Sequence, residues 1–418
     1  MRVYKFGGAS VKDANAIRNL RSIIEKHADC KLIVVISAMD KTTNAFELLH
    51  GYHYSGDERM TEQFEKICDF HRLVCNQLFS SENDRQALFL NDCFDEIKSI
   101  MNKPASANYD FGYDRLVCYG ELLSTKIIYK FLSESIQNIS FLDIRKLIRT
   151  NNTYREARVD WENSAALTSK YFDNNNTGIT ITQGFIGSTS EGLTTTLGRE
   201  GSDFTAAILA FLLNAEDVTI WKDVPGIMNA DPVWYKNPEK IDVISYQEAI
   251  ELAFYGAKVI HPRTVKPLEN KKIPLLVKSF INPDETGTCI THTQVFVHYP
   301  PIYILKHGQL LLSIMPKDFS FIAEDNLSTI FAIFDRYRTH VNLIQNSAIS
   351  FSACTDINTN TYRAMIEELQ KDFVVKYNEN LTLVTIRHYN DEAIQKIISG
   401  KTILLEQKSR STVRYVIH

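Results

Sequence analysis

Apolar positions along the first 290 residues of this chain follow two alternating rhythms. The first is a series of short runs with few polar interruptions: Met1 to Tyr4, Lys31 to Ala38 (KLIVVISA), Gly178 to Gly184 (GITITQG), Asp217 to Trp221 (DVTIW) and Ile273 to Val277. Runs this short and this rich in β-branched residues predict strands buried on both faces of a parallel sheet. Between them the apolar residues recur at helical spacing. Val11 to Lys26 and Asp203 to Leu213 predict connecting helices. From Phe46 to about Ile148 the same rhythm continues, in Phe64, Ile67, Cys68, His71 and Leu78 and again from Leu116 to Leu132, and predicts an inserted helical layer or lid at about 46–150. Strands alternating with helices predict an α/β fold with helices on both faces of the sheet.

The pattern changes around Asn282 to Pro301, where Pro283, Gly287, a threonine cluster and Pro300-Pro301 mark a domain boundary. The expected domains are 1–290 and 302–418. In the second, Gln309 to Ile314 reads as a strand, Leu327 to Thr339 as a helix, Val341 to Ile344 and Ala348 to Ala353 as strands, Tyr362 to Lys371 as a helix and Leu381 to Ile386 as a strand. That order is the ferredoxin-like α+β module. A helix at Asp391 to Ile398 and strands at Thr402 to Gln407 and Ser411 to Ile417 then read as a second, shortened copy.

Composition narrows the chemistry mainly by exclusion. A net charge of −4 over 418 residues gives no basic footprint for nucleic acid. No apolar run reaches the roughly 18 to 20 uncharged residues of a membrane span, and Met1 leads straight into a strand, so a cytoplasmic location is expected. Seven scattered cysteines without C-x-x-C spacing argue against a disulfide framework or a zinc site. Ser399-Gly400-Lys401-Thr402 imitates the end of a phosphate-binding P-loop, but Gln395 stands where the first glycine belongs.

Five polar clusters end apolar strands or open helices, the placement expected of a site at the carboxyl edge of an α/β sheet. Lys5-Phe6-Gly7-Gly8-Ala9-Ser10-Val11 follows the first strand, and its paired glycines let the backbone turn sharply and bring N–H groups close to an anion beside the charge of Lys5. Ser37 to Asn44 offers hydroxyls, including Ser37 and Thr43, after the second strand. Tyr119-Gly120-Glu121 sets a carboxylate at the start of an apolar helix. Gly198-Arg199-Glu200-Gly201-Ser202-Asp203 is a second glycine-bearing turn with an arginine suited to a carboxylate. The fifth cluster comprises Lys222-Asp223-Val224-Pro225-Gly226, Asp231-Pro232 and Gly256-Ala257-Lys258-Val259-Ile260-His261-Pro262. Singly, each also reads as an ordinary cap or turn.

Together and in this order, KFGGASV, GREGSD, DVPGI and GAKVIHP closely resemble the aspartate kinases of the amino acid kinase family, and the resemblance spans essentially the whole chain. It implies a three-layer sandwich with a mostly parallel central sheet, followed by tandem ACT regulatory modules. The implied reaction is transfer of the γ-phosphoryl group of ATP, accompanied by Mg²⁺ and with no protein metal ligand assigned, to the β-carboxylate of L-aspartate. By resemblance Lys5 neutralises charge on the transferring group, with the amides of Gly7 and Gly8 beside it, and Asp203 orients the lysines. Ser10, Lys222, Asp223, Asp231 and Lys258 fall at nucleotide positions. Arg199 clamps a substrate carboxylate, Glu121 meets the ammonium group, and Ser37, Thr43 and Ser202 complete the acceptor site. Met315, Phe319, Ile322, Val341, Asn342 and Ser347 match an amino-acid effector zone in modules that pair two subunits, implying a homodimer. Ala9, Glu200, Lys222 and Val233 depart from the family pattern, standing where threonine, glycine, threonine and arginine are usual, and Asn342 replaces an acidic residue of lysine-sensitive members. The alternatives are a glutamate or acetylglutamate acceptor within the family, or a non-catalytic amino-acid sensor.

Overall fold

The β-branched runs assemble one sheet of eight strands: β1 (Arg2–Phe6), β2 (Leu32–Ile36), β3 (Ile139–Leu142), β4 (Ile179–Gln183), β5 (Val218–Lys222), β6 (Val243–Ser245), β7 (Leu275–Ser279) and β8 (Thr288–Thr291), in the order β6-β8-β7-β5-β1-β2-β4-β3. The structure is a computed structural model that describes residues 1–27, 30–175, 178–257, 260–292, 298–318, 320–359 and 361–418. Six neighbouring strands are mutually parallel; β8 runs against β7, and β6 follows β8. All five residues of β2 are buried, as a strand covered by helices on both faces requires. Fully burying side chains such as Val34 and Ile36 stabilises the fold by roughly 1.5–3 kcal/mol each, which holds this strand in the interior of the sheet.

Register decides where a site can form. Phe6 at the end of β1 sits beside Ile36 of β2 and Trp221 of β5, and Ile36 sits beside Gln183 of β4. Four adjacent strands therefore stop level with one another, and the turns leaving them share one edge.

β6 and β8 were not expected from the sequence, β8 lying within the stretch read as a domain boundary, and two further elements differ from expectation. The residues after the paired glycines form a single 3-10 turn, Gly8–Val11, and the α-helix begins only at Ala14. Asp13 is the reason: its carboxylate accepts from the amide of Ala16 at 2.8 Å and caps the helix there. The expected helical insert at 46–150 holds helices Thr42–Ser55, Met60–Leu78, Asn91–Met101, Tyr109–Val117 and Tyr119–Ser133, but it also contains β3, the edge strand of the sheet. No helix among the described residues is long and apolar enough to cross a membrane.

The chain divides into two units, Met1–Ile227 with Lys240–Ala253 and Lys258–Val297, and Met228–Glu239 with Phe254–Ala257 and His298–His418. The second unit carries an antiparallel sheet of β9 (Ile302–Pro316), β10 (Val341–Asn346), β11 (Phe351–Asp356), β12 (Phe373–Arg387), β13 (Ile403–Lys408) and β14 (Thr412–Ile417), ordered β10-β11-β9-β12-β14-β13. β9 and β12 are 15 residues each and serve two ferredoxin-like halves. Helices Glu324–Arg336 and Tyr362–Asp372 pack over Leu310, Leu312, Ile314 and Phe351 in one half. In the other, helix Asp391–Ile398 packs over Tyr303, Val384, Ile386 and Val413. The second half takes its first strand, Ile302 to Lys306, from upstream of the first half, so in sequence it reads as a shortened copy.

Candidate active site

The level ends of adjacent parallel strands supply the site. Lys5 is on β1, and its register partner on β5 is Ile220, so Lys222, two residues on, points to the same face. On that face the helix Gly201–Leu213 presents Asp203 in its first turn. The ammonium of Lys5 lies 2.6 Å from Asp203 Oδ1, and that of Lys222 lies 4.0 Å from Oδ2. Burial alone would push the Asp203 carboxyl up, but Lys5, then Lys222, hold it below the usual carboxylate range. Asp203 is therefore an ionised bracket between two cations from neighbouring strands.

Glycines let the surrounding turns close in. A Cβ on Gly7 would lie 3.2 Å from the Lys5 ammonium, and one on Gly8 would lie 2.9 Å from the carbonyl of Asp40. The Gly8 carbonyl accepts from the Asp40 amide at 3.1 Å, joining the first turn to the one after β2. Ser10 is buried with its hydroxyl donating to the Trp221 carbonyl at 3.2 Å, so it ties the glycine turn to β5. Two further glycines, Gly120 and Gly184, assigned no role from the sequence, are also constrained. A Cβ on Gly120 would approach that of Ala38 at 3.0 Å, and one on Gly184 would collide with Ser202 at 2.4 Å. The available signal was position: Gly120 precedes Glu121, and Gly184 ends the run GITITQG.

The close approach at Gly120 brings Glu121 under the turn after β2. Its Oε1 accepts from the Ala38 amide at 3.2 Å, and its Oε2 is buried with no hydrogen-bond partner among the described residues. Burial pushes this carboxyl up to about 8, opposed by the backbone amides of Ala38 and of Glu121 itself and then by the charge of Lys5. A buried carboxyl oxygen with no partner among the described residues has a lone pair open to a further donor. Ser37 is buried beside it, its carbonyl accepting from Ser124 Oγ at 2.8 Å. Thr43 is half-buried in the first turn of helix Thr42–Ser55, and Ser202 is buried at the start of the Asp203 helix.

Arg199 is exposed in the turn preceding that helix, where Gly198 (φ 78°) and Glu200 (φ 53°) adopt left-handed backbone. Asp223 is exposed directly after Lys222. Asp231 belongs to the second unit, where its carboxylate accepts from the Val233 amide at 2.9 Å. Lys258 lies outside the described residues, as does Phe319 of the expected effector zone. Of the remaining effector positions, Met315 lies on β9, while Ile322 and Val341 pack in or against the core of their half. The Asn342 carbonyl accepts from Lys306 at 2.7 Å, and its amide donates to Gln309 at 2.8 Å and Asp356 at 2.7 Å. Ser347 closes its own turn with Ser350.

Residues 1–279 match the amino acid kinase family. The chain is also 33% identical over 407 residues to lysine-sensitive aspartokinase 3 of Escherichia coli K12, covering 92% of this chain and 86% of that one. It belongs to the aspartokinases of the amino acid kinase family. Two structures titled as E. coli aspartokinase III superpose on it at 30% identity over its whole length: one in complex with lysine and aspartate (TM-score 0.84, 95% of that chain), the other with aspartate and ADP (0.83, 96%). A bifunctional chloroplastic aspartokinase/homoserine dehydrogenase 2 of Arabidopsis thaliana is 33% identical over 69% of this chain, which spans 32% of that longer protein. The α/β architecture with its antiparallel C-terminal module is thus that of an aspartokinase family member.

Proposed function

We propose that this site transfers the γ-phosphoryl group of ATP to the β-carboxylate of L-aspartate, giving 4-phospho-L-aspartate, the first step towards lysine, threonine and methionine. The observation carrying this reading is the pairing, at one sheet edge, of a two-lysine bracket on Asp203 with the idle, buried oxygen of Glu121. The bracket suits phosphoryl charge and the carboxyl suits an ammonium group, so the acceptor is an amino acid. The attacking carboxylate is already ionised at neutral pH, and no general base is required. What remains is positioning and charge neutralisation. Lys5 and the Gly7 and Gly8 amides meet the transferring group, Asp203 aims the lysines, and Glu121 with Arg199 holds the two ends of aspartate. Mg²⁺, where bound, would be held mainly by phosphate oxygens of the nucleotide and water, and would neutralise phosphate charge. The second unit is assigned the sensing of an amino-acid effector, on the likeness to the relative solved with lysine, and the pairing of two chains, on its resemblance to ACT modules.

A coupled assay of ADP release with aspartate, with glutamate and with no acceptor tests the reaction. ADP release that is independent of aspartate would refute it. Arg199→Ala is expected to raise the KM for aspartate by about tenfold, the typical loss of one charge-assisted carboxylate contact, and to leave the KM for ATP within about twofold. Equal changes in both would remove Arg199 from the acceptor side. Lys222→Ala is expected to do the reverse, raising the KM for ATP several-fold, roughly the worth of one partly exposed cation. An unchanged value would end its nucleotide role.

A further inference from the structure

Asp114, in helix Tyr109–Val117, is fully buried and carries no role in the chemistry above. Its carboxylate gathers four donor contacts from two distant segments. The amide of Arg155 lies 3.1 Å from both oxygens, the amide of Thr196 lies 2.8 Å from Oδ2, and the hydroxyl of Thr196 lies 2.7 Å from Oδ1. No cation pairs with it among the described ion pairs; the neighbouring Asp110 opposes its charge, and burial pushes it up to about 6. A carboxylate buried without a counter-ion is costly, and it persists where its hydrogen bonds fix backbone in place.

The backbone it fixes leads into the site. Thr196 ends a short strand, and its carbonyl accepts from the Ala157 amide at 3.0 Å, so Asp114 and the 155–157 segment grip it together. The next residue, Leu197, is held by the Phe185 carbonyl at 2.8 Å. Beyond it Gly198 packs against the Arg155 carbonyl, where a Cβ would come to 3.2 Å. Arg199 follows at once, and then the helix bearing Ser202 and Asp203. The Arg199 turn is thus anchored behind by the helix and in front by a tether whose buried centre is Asp114.

We infer that Asp114 is a positioning residue for aspartate binding: it sets the turn from which Arg199 reaches the acceptor. The inference rests on the acceptor-side reading of Arg199. Asp114→Ala is expected to raise the KM for aspartate about tenfold through misplacement of that turn, with the KM for ATP within about twofold. Asp114→Asn keeps one oxygen for the backbone donors, and the Thr196 hydroxyl can rotate to accept from the new amide, so this variant recovers most of the affinity. In an Arg199→Ala background the further effect of Asp114→Ala shrinks below about twofold, because the two residues act through one contact. Thr196→Val, which removes a single donor, moves the KM for aspartate in the same direction and serves if the alanine variant does not fold. Effects of Asp114→Ala and Arg199→Ala that multiply, or equal rises in both KM values, overturn the inference while leaving Arg199 in place. An Arg199→Ala variant with an unchanged KM for aspartate sinks the underlying reading, and this inference with it.

Discussion

Lys5→Met is expected to lower kcat by about 10²- to 10³-fold, the usual cost of losing one preorganised charge partner of a transition state. Methionine keeps the length and apolar stem of the side chain and removes only the ammonium group. The structure adds a second consequence. With Lys5 gone, the buried Asp203 carboxylate keeps, among the described residues, only Lys222, at 4.0 Å, as a cation. Leaving one member of a buried pair uncompensated costs about 3 kcal/mol, so the variant is also expected to unfold at a lower temperature. The two effects separate in Lys5→Met/Asp203→Leu, which removes both charges: most of the stability returns and none of the turnover does. Single-turnover measurement of acyl phosphate formation, with thermal unfolding of the same samples, reads both. Near-normal turnover in Lys5→Met would take Lys5 out of the mechanism.

Legibility from sequence followed burial. β2 and β5 were visible because strands covered on both faces consist of little except β-branched and aromatic residues, as in KLIVVISA and DVTIW. β3, with the sequence ISFL, was hidden: it is a four-residue edge strand, three of its residues only partly buried, inside a segment otherwise helical. β9 read as a strand only from Gln309 because Lys306-His307-Gly308 interrupts the alternation; the pairing slips there, with Gly308 at φ 67°. In the site, Lys5, Asp203, Glu121 and Ser37 were legible because each ends a strand or opens a helix. Asp114 was not, since its donors are mostly backbone amides 41 and 82 positions away and leave no trace in residue type. Lys222 stood out both at a nucleotide position and as a departure from the family, and its geometry beside Asp203 gives that departure a physical meaning.

Binding of aspartate is expected to release close to one proton at pH 7 and to tighten with pH between about 6 and 8. The cause is Glu121. Its carboxyl in the ligand-free site is pushed up to about 8, so at pH 7 most molecules carry the proton. An ammonium group arriving at Oε2 favours the ionised form and pulls the carboxyl down, and the proton leaves as the pair forms. The sign follows by linkage: the proton competes with aspartate, so each unit of pH below 8 weakens affinity by about tenfold, until the pH falls to the lowered value of the complex. Above 8 the dependence flattens. Calorimetry in two buffers of different ionisation enthalpy counts the proton directly. Glu121→Gln has no proton to lose, so its affinity should be independent of pH across this window and, at pH 8, about 10²-fold weaker than that of the unaltered chain, as for truncating one partner of a buried charge pair. A flat profile in the unaltered chain, with no proton released, would mean that the buried oxygen of Glu121 meets something other than the substrate's ammonium group.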